Sequence, residues 1–334
     1  MRPAGYLAAS AALVACLLAG LVAGAAGIPV KGVLLALLDR LPLVSADPGL
    51  SPVEYGLLFQ LRVPRVLLAA LVGGMLAMAG AGYQGVFRNP LADPYLLGAA
   101  AGAGFTATLM IVLVDVDALV PLAAFGGAAG GVLLAYALGR TAGRGGGTAT
   151  LLLAGIAVSS FLSALQAFAQ QIKVDRLQRI YAWILGGIGS DWSQVRMVLP
   201  YAAVSAAVLL AHGRVLDVLS VGDDEASGLG VNAARARLVI LCAASLATAS
   251  AVAVGGLIGF VGVVVPHAVR RLAGGSYRVV LPLSLLAGAG FLVLADLVAR
   301  TALAPAELPI GVVTAFVGAP FFVAVLRATR TADP

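Results

Sequence analysis

The chain has 334 residues, 61% of them hydrophobic and 11% charged, with a formal net charge of +6. Soluble domains average about 45–50% apolar and about 25% charged residues, so a soluble globular enzyme is excluded. One membrane crossing takes about 20 apolar residues, and a chain this apolar accommodates about ten. Residues 1–334 therefore read as a single polytopic membrane domain, with the lipid bilayer as solvent. The 42 glycines suit helices that pack backbone to backbone in lipid. A transmembrane barrel would alternate apolar and polar residues over about ten-residue strands, whereas residues 7–30 run 24 positions without a charge. The expected fold class is an all-α bundle of about ten transmembrane helices.

Charge-free runs place the crossings in order at 7–30, 66–87, 95–114, 118–139, 145–172 and 197–211. The second half supplies 238–269, 279–295 and 308–326. The 238–269 run is too long for one crossing, and Gly255 and Gly256 near its middle mark a reversal, giving two helices. Arg2 before an apolar stretch imitates a secretory signal, but the uncharged run exceeds a typical h-region and reads as the first crossing. Ten crossings put both termini on one side. With the termini inside, twelve of the 21 basic residues are cytoplasmic and every short cytoplasmic loop carries an arginine, as the positive-inside rule asks. Outer loops are expected at 31–62 and 173–196, and a cytoplasmic loop at 213–237. Ala-Gly-Ala-Gly-Phe occurs at 101–105 and again at 287–291, a coincidence expected in so Ala/Gly-rich a chain.

The fifth run carries Thr148, Gly155, Ser159, Ser163, Gln166 and Gln170 at helical spacing. Polar residues inside a membrane usually face the bundle or a water-filled route, so this face either lines a pathway for a polar solute or bonds to neighbouring helices. In the 213–237 loop, Leu216, Val218, Leu219 and Val221 precede Gly222 and the acidic trio Asp223, Asp224 and Glu225. Acids at a helix start oppose the macrodipole. Two short helices separated by Gly222 would form either a docking knob for another protein or a solvated loop.

Catalytic signals are missing. A phosphate-binding G-x-x-x-x-G-K-[ST] loop needs a lysine after glycine, but Lys31 follows Val30 and Lys173 follows Ile172. His212 and His267 belong to no metal-ligand motif, and Cys16 and Cys242 lie in apolar runs as packing residues. No catalytic, cofactor-binding or metal-binding residues are assigned. No basic run is interleaved with aromatics, so nucleic acid is not an expected partner. Asp296 is the one acid embedded in an apolar run, and Arg300 four residues on forms an ion pair with it. A secondary transporter or channel acting alone would carry ionisable residues along its path, which the chain nearly lacks. An intramembrane enzyme would need catalytic residues that are absent. These features describe a conduit that takes its energy from a partner.

Arg62-Val-Pro-Arg65, Gln84-Gly-Val-Phe-Arg-Asn-Pro-Leu-Ala-Asp-Pro94, Gly259-Phe-Val-Gly-Val-Val-Val-Pro-His267, Ala295-Asp-Leu-Val-Ala-Arg300 and Glu307-Leu-Pro-Ile-Gly311 together resemble the FecCD-like permeases of iron-chelate and cobalamin ABC importers. The resemblance covers nearly the whole chain, in order. It implies a type II importer permease that dimerises with itself or a related permease and works with two ATPase subunits and an external binding protein, carrying a ferric siderophore, haem or cobalamin. It also implies site roles. Arg62, Arg65 and Arg300 match arginines that receive acidic knobs of the binding protein. Residues 216–231, with Leu216, Leu219, Val221, Gly222, Asp223, Asp224 and Glu225, resemble coupling helices that enter an ATPase cleft. Asn89, Leu91 and Thr148 resemble a cytoplasmic gate, although Thr148-Ala149 departs from the paired hydroxyls of some relatives.

Overall fold

The computed structural model describes residues 3–24, 27–40, 46–141 and 148–330. In chain order the α-helices are α1 (Pro3–Val22), α2 (Val30–Asp39), α3 (Pro52–Gly56), α4 (Val63–Phe87), α5 (Ala99–Leu109), α6 (Val120–Thr141), α7 (Thr148–Ile172) and α8 (Leu177–Ile184). They continue as α9 (Trp192–Ala211), α10 (Gly213–Val221), α11 (Asp223–Gly228), α12 (Ala233–Gly255), α13 (Val261–Ala273), α14 (Tyr277–Thr301) and α15 (Ile310–Arg330). The ten expected crossings correspond in order to α1, α4, α5, α6, α7, α9, α12, α13, α14 and α15.

The expected outer loops are corrected in detail. Residues 31–62 contain α2, α3 and a π-helical stretch, Leu57–Arg62, that runs without a break into α4. The reason is local: Ser51 accepts from Glu54 N while the Glu54 carboxylate accepts from Ser51 N at 2.8 Å, a reciprocal capping box with Pro52 at the first helical position. Residues 173–196 contain α8, whose Ile180 is buried while Tyr181 is exposed, and the start of α9, capped by Asp191. Residues 41–45 of the first of these loops lie outside the described residues.

α4 is the axis of the bundle. It is almost wholly buried, with α14, α12, α13, α9 and α1 around it. Glycines permit this: a Cβ on Gly80 would collide with the Gly262 carbonyl, and one on Gly73 with that of Gly288, so the backbones of α13 and α14 lie directly on α4. α5, α6 and α7 pack together as a second group, held to the first through α12.

The reversal expected at Gly255 and Gly256 is present. α12 stops there because Gly256 takes φ +67, in the left-handed region that glycine adopts without strain. α13 has 13 residues, a rise of about 20 Å, short of the ~30 Å hydrocarbon core. The irregular backbone before it is paired internally, as lipid requires: the Tyr95 hydroxyl accepts from Ile258 N and donates to Ile258 O, each at 3.1 Å. Gly187 N donates to Gly255 O at 3.0 Å, Ile310 N to Gly186 O at 3.2 Å and Gly311 N to Leu185 O at 3.0 Å. The ends of α8, α12 and α15 are thereby tied into one junction.

Candidate functional site

Polar side chains gather at the two ends of α4 and α14, each of 25 residues and therefore ~37 Å long. At the end bearing Arg62, Asp296 is buried, with Arg65 Nε 2.9 Å from its Oδ1 and Arg300 Nε 3.2 Å from its Oδ2. Arg65 also forms a fork with Glu307, donating from Nη1 at 3.0 Å and from Nη2 at 2.9 Å. Arg62 and Arg300 are both buried. Arg62 Nη1 donates to the carbonyls of Leu21 and Val22, each at 2.9 Å, and Arg300 Nη2 donates to that of Gly20. These are last-turn carbonyls of α1, which no intrahelical donor can reach, and cations at a helix C-terminus also offset its dipole.

The sequence therefore locates the three arginines together, but their surroundings differ from a simple outward cluster. Arg62 and Arg300 fasten α1 to the bundle, and the exposed part of the group is the Arg65–Glu307 fork. Arg65 hydrogen bonds hold the Glu307 carboxyl below its ordinary range. Glu307 carried no role in the sequence, although it stands in the Glu-Leu-Pro-Ile-Gly string.

At the other end, α10 and α11 meet at Gly222 as expected, yet the apolar positions divide. Leu216 and Leu219 are buried, Leu216 lying against Gly85 of α4. Val221 is 73% exposed and Leu229 is 70% exposed, beside exposed Asp224 and Glu225. Leu216 and Leu219 thus anchor α10 to its own bundle, and the free surface is the Val221–Glu225–Leu229 side. Asp223 receives Arg237 Nη1 at 2.9 Å and also pairs with Arg88, and Arg237 foremost holds its carboxyl low. Arg88, at φ 49, donates through Nε to Leu219 O at 2.7 Å. Asp217 accepts from Ser276 Oγ at 2.8 Å and from Tyr277 N, so it caps α14. α10–α11 is clamped to the ends of α4, α12 and α14. Contacts between residues 59 apart leave no local sequence signal.

Of the residues expected at a gate, Asn89 Oδ1 accepts from Leu91 N at 2.9 Å and Leu91 is exposed. Thr148 begins α7, and its side chain lies outside the described residues. On α7 the polar set does not share one exposure. Gly155 sits on the Leu96 carbonyl and Gln166 against Gly104, Ser159 and Gln170 are half-buried, and Ser163 is exposed. The outward stripe passes through Ser160, Ser163, Ala164, Ala167 and Gln171. Gly104 of α5, having no Cβ, leaves the room that Gln166 occupies.

A further charged group ties α8 to the α5–α6 turn: Arg176 Nη2 is 2.6 Å from Asp115 Oδ2, and Arg179 pairs with both Asp115 and Asp117. Hydrogen bonds from Arg176 and Arg179 hold Asp115 at about 2. Among the described residues there is no group of three or more His, Cys, Asp or Glu side chains that could hold a metal ion.

The FecCD transport family pattern matches residues 12–328. The chain belongs to that family. It is 38% identical over 312 residues to the hemin transport system permease HmuU of Yersinia pestis, covering 87% of this chain and 93% of that protein. It is 44% identical over 269 residues to the cobalamin import system permease BtuC of Halobacterium salinarum, covering 80% and 72%. A solved inward-facing ABC transporter of the metal-chelate type superposes with a TM-score of 0.85 at 30% identity, covering 98% of this chain and 100% of that one. The FecCD chain is thus a multi-pass membrane permease with the type II importer fold.

Proposed function

We propose that this permease forms the translocation pathway of an ATP-driven importer of a metal chelate, a ferric siderophore, haem or cobalamin. It pairs with a second copy or a related permease, takes ATP energy from two ATPase subunits and receives cargo from an external binding protein. The observation that carries the reading is the separation of two built polar clusters by the length of α4 and α14. One presents the Arg65–Glu307 fork, where carboxylates of a binding protein would dock beside Arg62 and Arg300. The other presents Val221, Asp224, Glu225 and Leu229 on the clamped helices α10 and α11, where an ATPase would sit. Asn89, Leu91 and Thr148 lie toward that second end as the gate. The arginine bias puts this end and both termini in the cytoplasm.

The chain supplies no phosphate-binding loop, so purified permease alone should hydrolyse no ATP. Reconstituted with its ATPase and binding protein, it should take up radiolabelled chelate only when ATP is inside the vesicle with the ATPase. Uptake by the permease alone would overturn the proposal in favour of a self-sufficient carrier.

A further inference from the structure

Between α6 and α12 lies a narrow cavity of about 260 Å³, lined by Phe125, Val132 and Tyr136 of α6 and by Leu238, Cys242 and Ala249 of α12. The lining runs from Phe125 to Tyr136 on α6 and from Leu238 to Ala249 on α12, a length of ~16 Å. That volume drawn out over that length has the cross-section of one hydrocarbon chain. The Ser245 hydroxyl on its wall is already paired with Tyr83 at 2.7 Å, so the groove offers little polarity to a ligand.

The charge around this groove is one-ended. Arg140 lies one turn beyond Tyr136, with its guanidinium carbon 5.9 Å from the centre of that ring. Arg235 lies one turn before Leu238, on the face that continues through Cys242. Both arginines are exposed, and neither meets a carboxylate among the described residues. Beyond the opposite end, at Phe125 and Ala249, the nearest described charges, Asp117 and Arg179, are paired with each other.

We propose that this groove is a binding site for an anionic phospholipid of the cytoplasmic leaflet, its acyl chain along α6 and α12 and its phosphate between Arg140 and Arg235. Basic side chains at the cytoplasmic end of an interhelical groove are the arrangement that selects anionic head groups. The name of the leaflet rests on the orientation proposed above, but the affinity does not, so a reversed orientation would leave the binding result intact.

The test is titration of the purified permease with phosphatidylglycerol and phosphatidylcholine of equal chain length, followed by native mass spectrometry. One phosphatidylglycerol should bind about thirtyfold more tightly than phosphatidylcholine, because each of the two arginines gains about 1 kcal/mol from a net-negative head group, whereas the choline cation offsets the phosphate charge of phosphatidylcholine. The double variant Arg140→Gln/Arg235→Gln should bring the two lipids to equal affinity, and Ala129→Phe, filling the groove while keeping the arginines, should weaken both. In a Cys16→Ala background, phosphatidylglycerol should slow alkylation of Cys242 while glycerol 3-phosphate should not. Equal affinity for the two lipids in the parent protein, or undiminished selectivity in the double variant, would overturn the proposal. Protection of Cys242 by glycerol 3-phosphate would reduce the site to a phosphate site without a chain. Loss of lipid binding on assembly with the ATPase and second permease would assign the groove to a protein partner instead.

Discussion

Replacing Asp296 with Asn and Glu307 with Gln removes one negative charge from the same guanidinium, Arg65, in two different environments. Asp296 is 1% exposed and is shared between Arg65 and Arg300, whereas Glu307 is 54% exposed. Neutralising Asp296 leaves Arg65 and Arg300 facing each other across a buried amide with Arg62 close by, and breaking a buried pair costs ~3–5 kcal/mol. Neutralising Glu307 removes a pair that water already screens, worth ~0–1 kcal/mol. The expected order is a strongly lowered heat-inactivation midpoint for Asp296→Asn, read as folded permease remaining on size-exclusion chromatography, and a near-parental midpoint for Glu307→Gln. Equal losses in the two variants would refute the ranking by burial. Glu307→Gln also tests docking, because it frees the two Arg65 donors that the fork occupies. Affinity for the binding protein should rise, and a fall would mean that Arg65 does not receive the incoming carboxylate.

Leu219→Asp should deplete folded permease by putting a charge among buried side chains, whereas Val221→Asp should leave the permease folded and reduce copurification of the ATPase. With Cys16 and Cys242 replaced, cysteines at Ser160, Ser163 and Ala164 should react with a water-soluble thiol reagent in transporting membranes, and those at Leu162 and Ala169 should stay protected; uniform labelling would refute an aqueous stripe on α7. Gly80→Ala should cost ~1–3 kcal/mol or more through overpacking against the Gly262 carbonyl, checked by the same heat-inactivation assay. Asp115 titrates lower in the folded protein, at about 2, than its ordinary 3.8, so its tie to α8 is fully present above 3.8 and is lost as pH falls through about 2. Pepsin cleavage within α8 should accelerate across that range in the parent and be fast throughout in Asp115→Asn.

The bundle was legible because its cause is local. Charge-free runs locate the ten main helices, and Gly255 and Gly256 mark the reversal between α12 and α13. What the runs miss are helices whose start is chemical and whose body is mixed in polarity. α3 begins at the Ser51–Glu54 capping box in a segment read as loop, and α8 exposes Gln178 and Tyr181 while burying Ile180. The length of α13 was hidden for another reason. Its apolar run continues through residues 256–260, which stay out of the helix: Gly256 turns the chain at φ +67, and both backbone groups of Ile258 pair with the Tyr95 hydroxyl. Composition cannot distinguish a helical apolar residue from an apolar residue in a junction satisfied by distant partners.

The sites follow the same division. The Asp296–Arg300 pair could be read because its partners are one helical turn apart. Arg65, Glu307 and the α1 carbonyls join it only through tertiary packing, with separations of 231 residues for Arg65–Asp296 and 280 for Arg300–Gly20. Packing also changes what the arginines can do. Two of the three are held by α1, so a partner approaching this end first meets the Arg65–Glu307 fork. Burial changes α10 in the same way: an apolar side chain on a short exposed-looking helix is an interface anchor only where its own bundle has not already covered it. Leu216 and Leu219 are covered, and Val221 and Leu229 are not. On the proposal that α10 and α11 receive the ATPase, the apolar side chains they offer it are therefore the two outside that packed face, one on each side of the acidic turn.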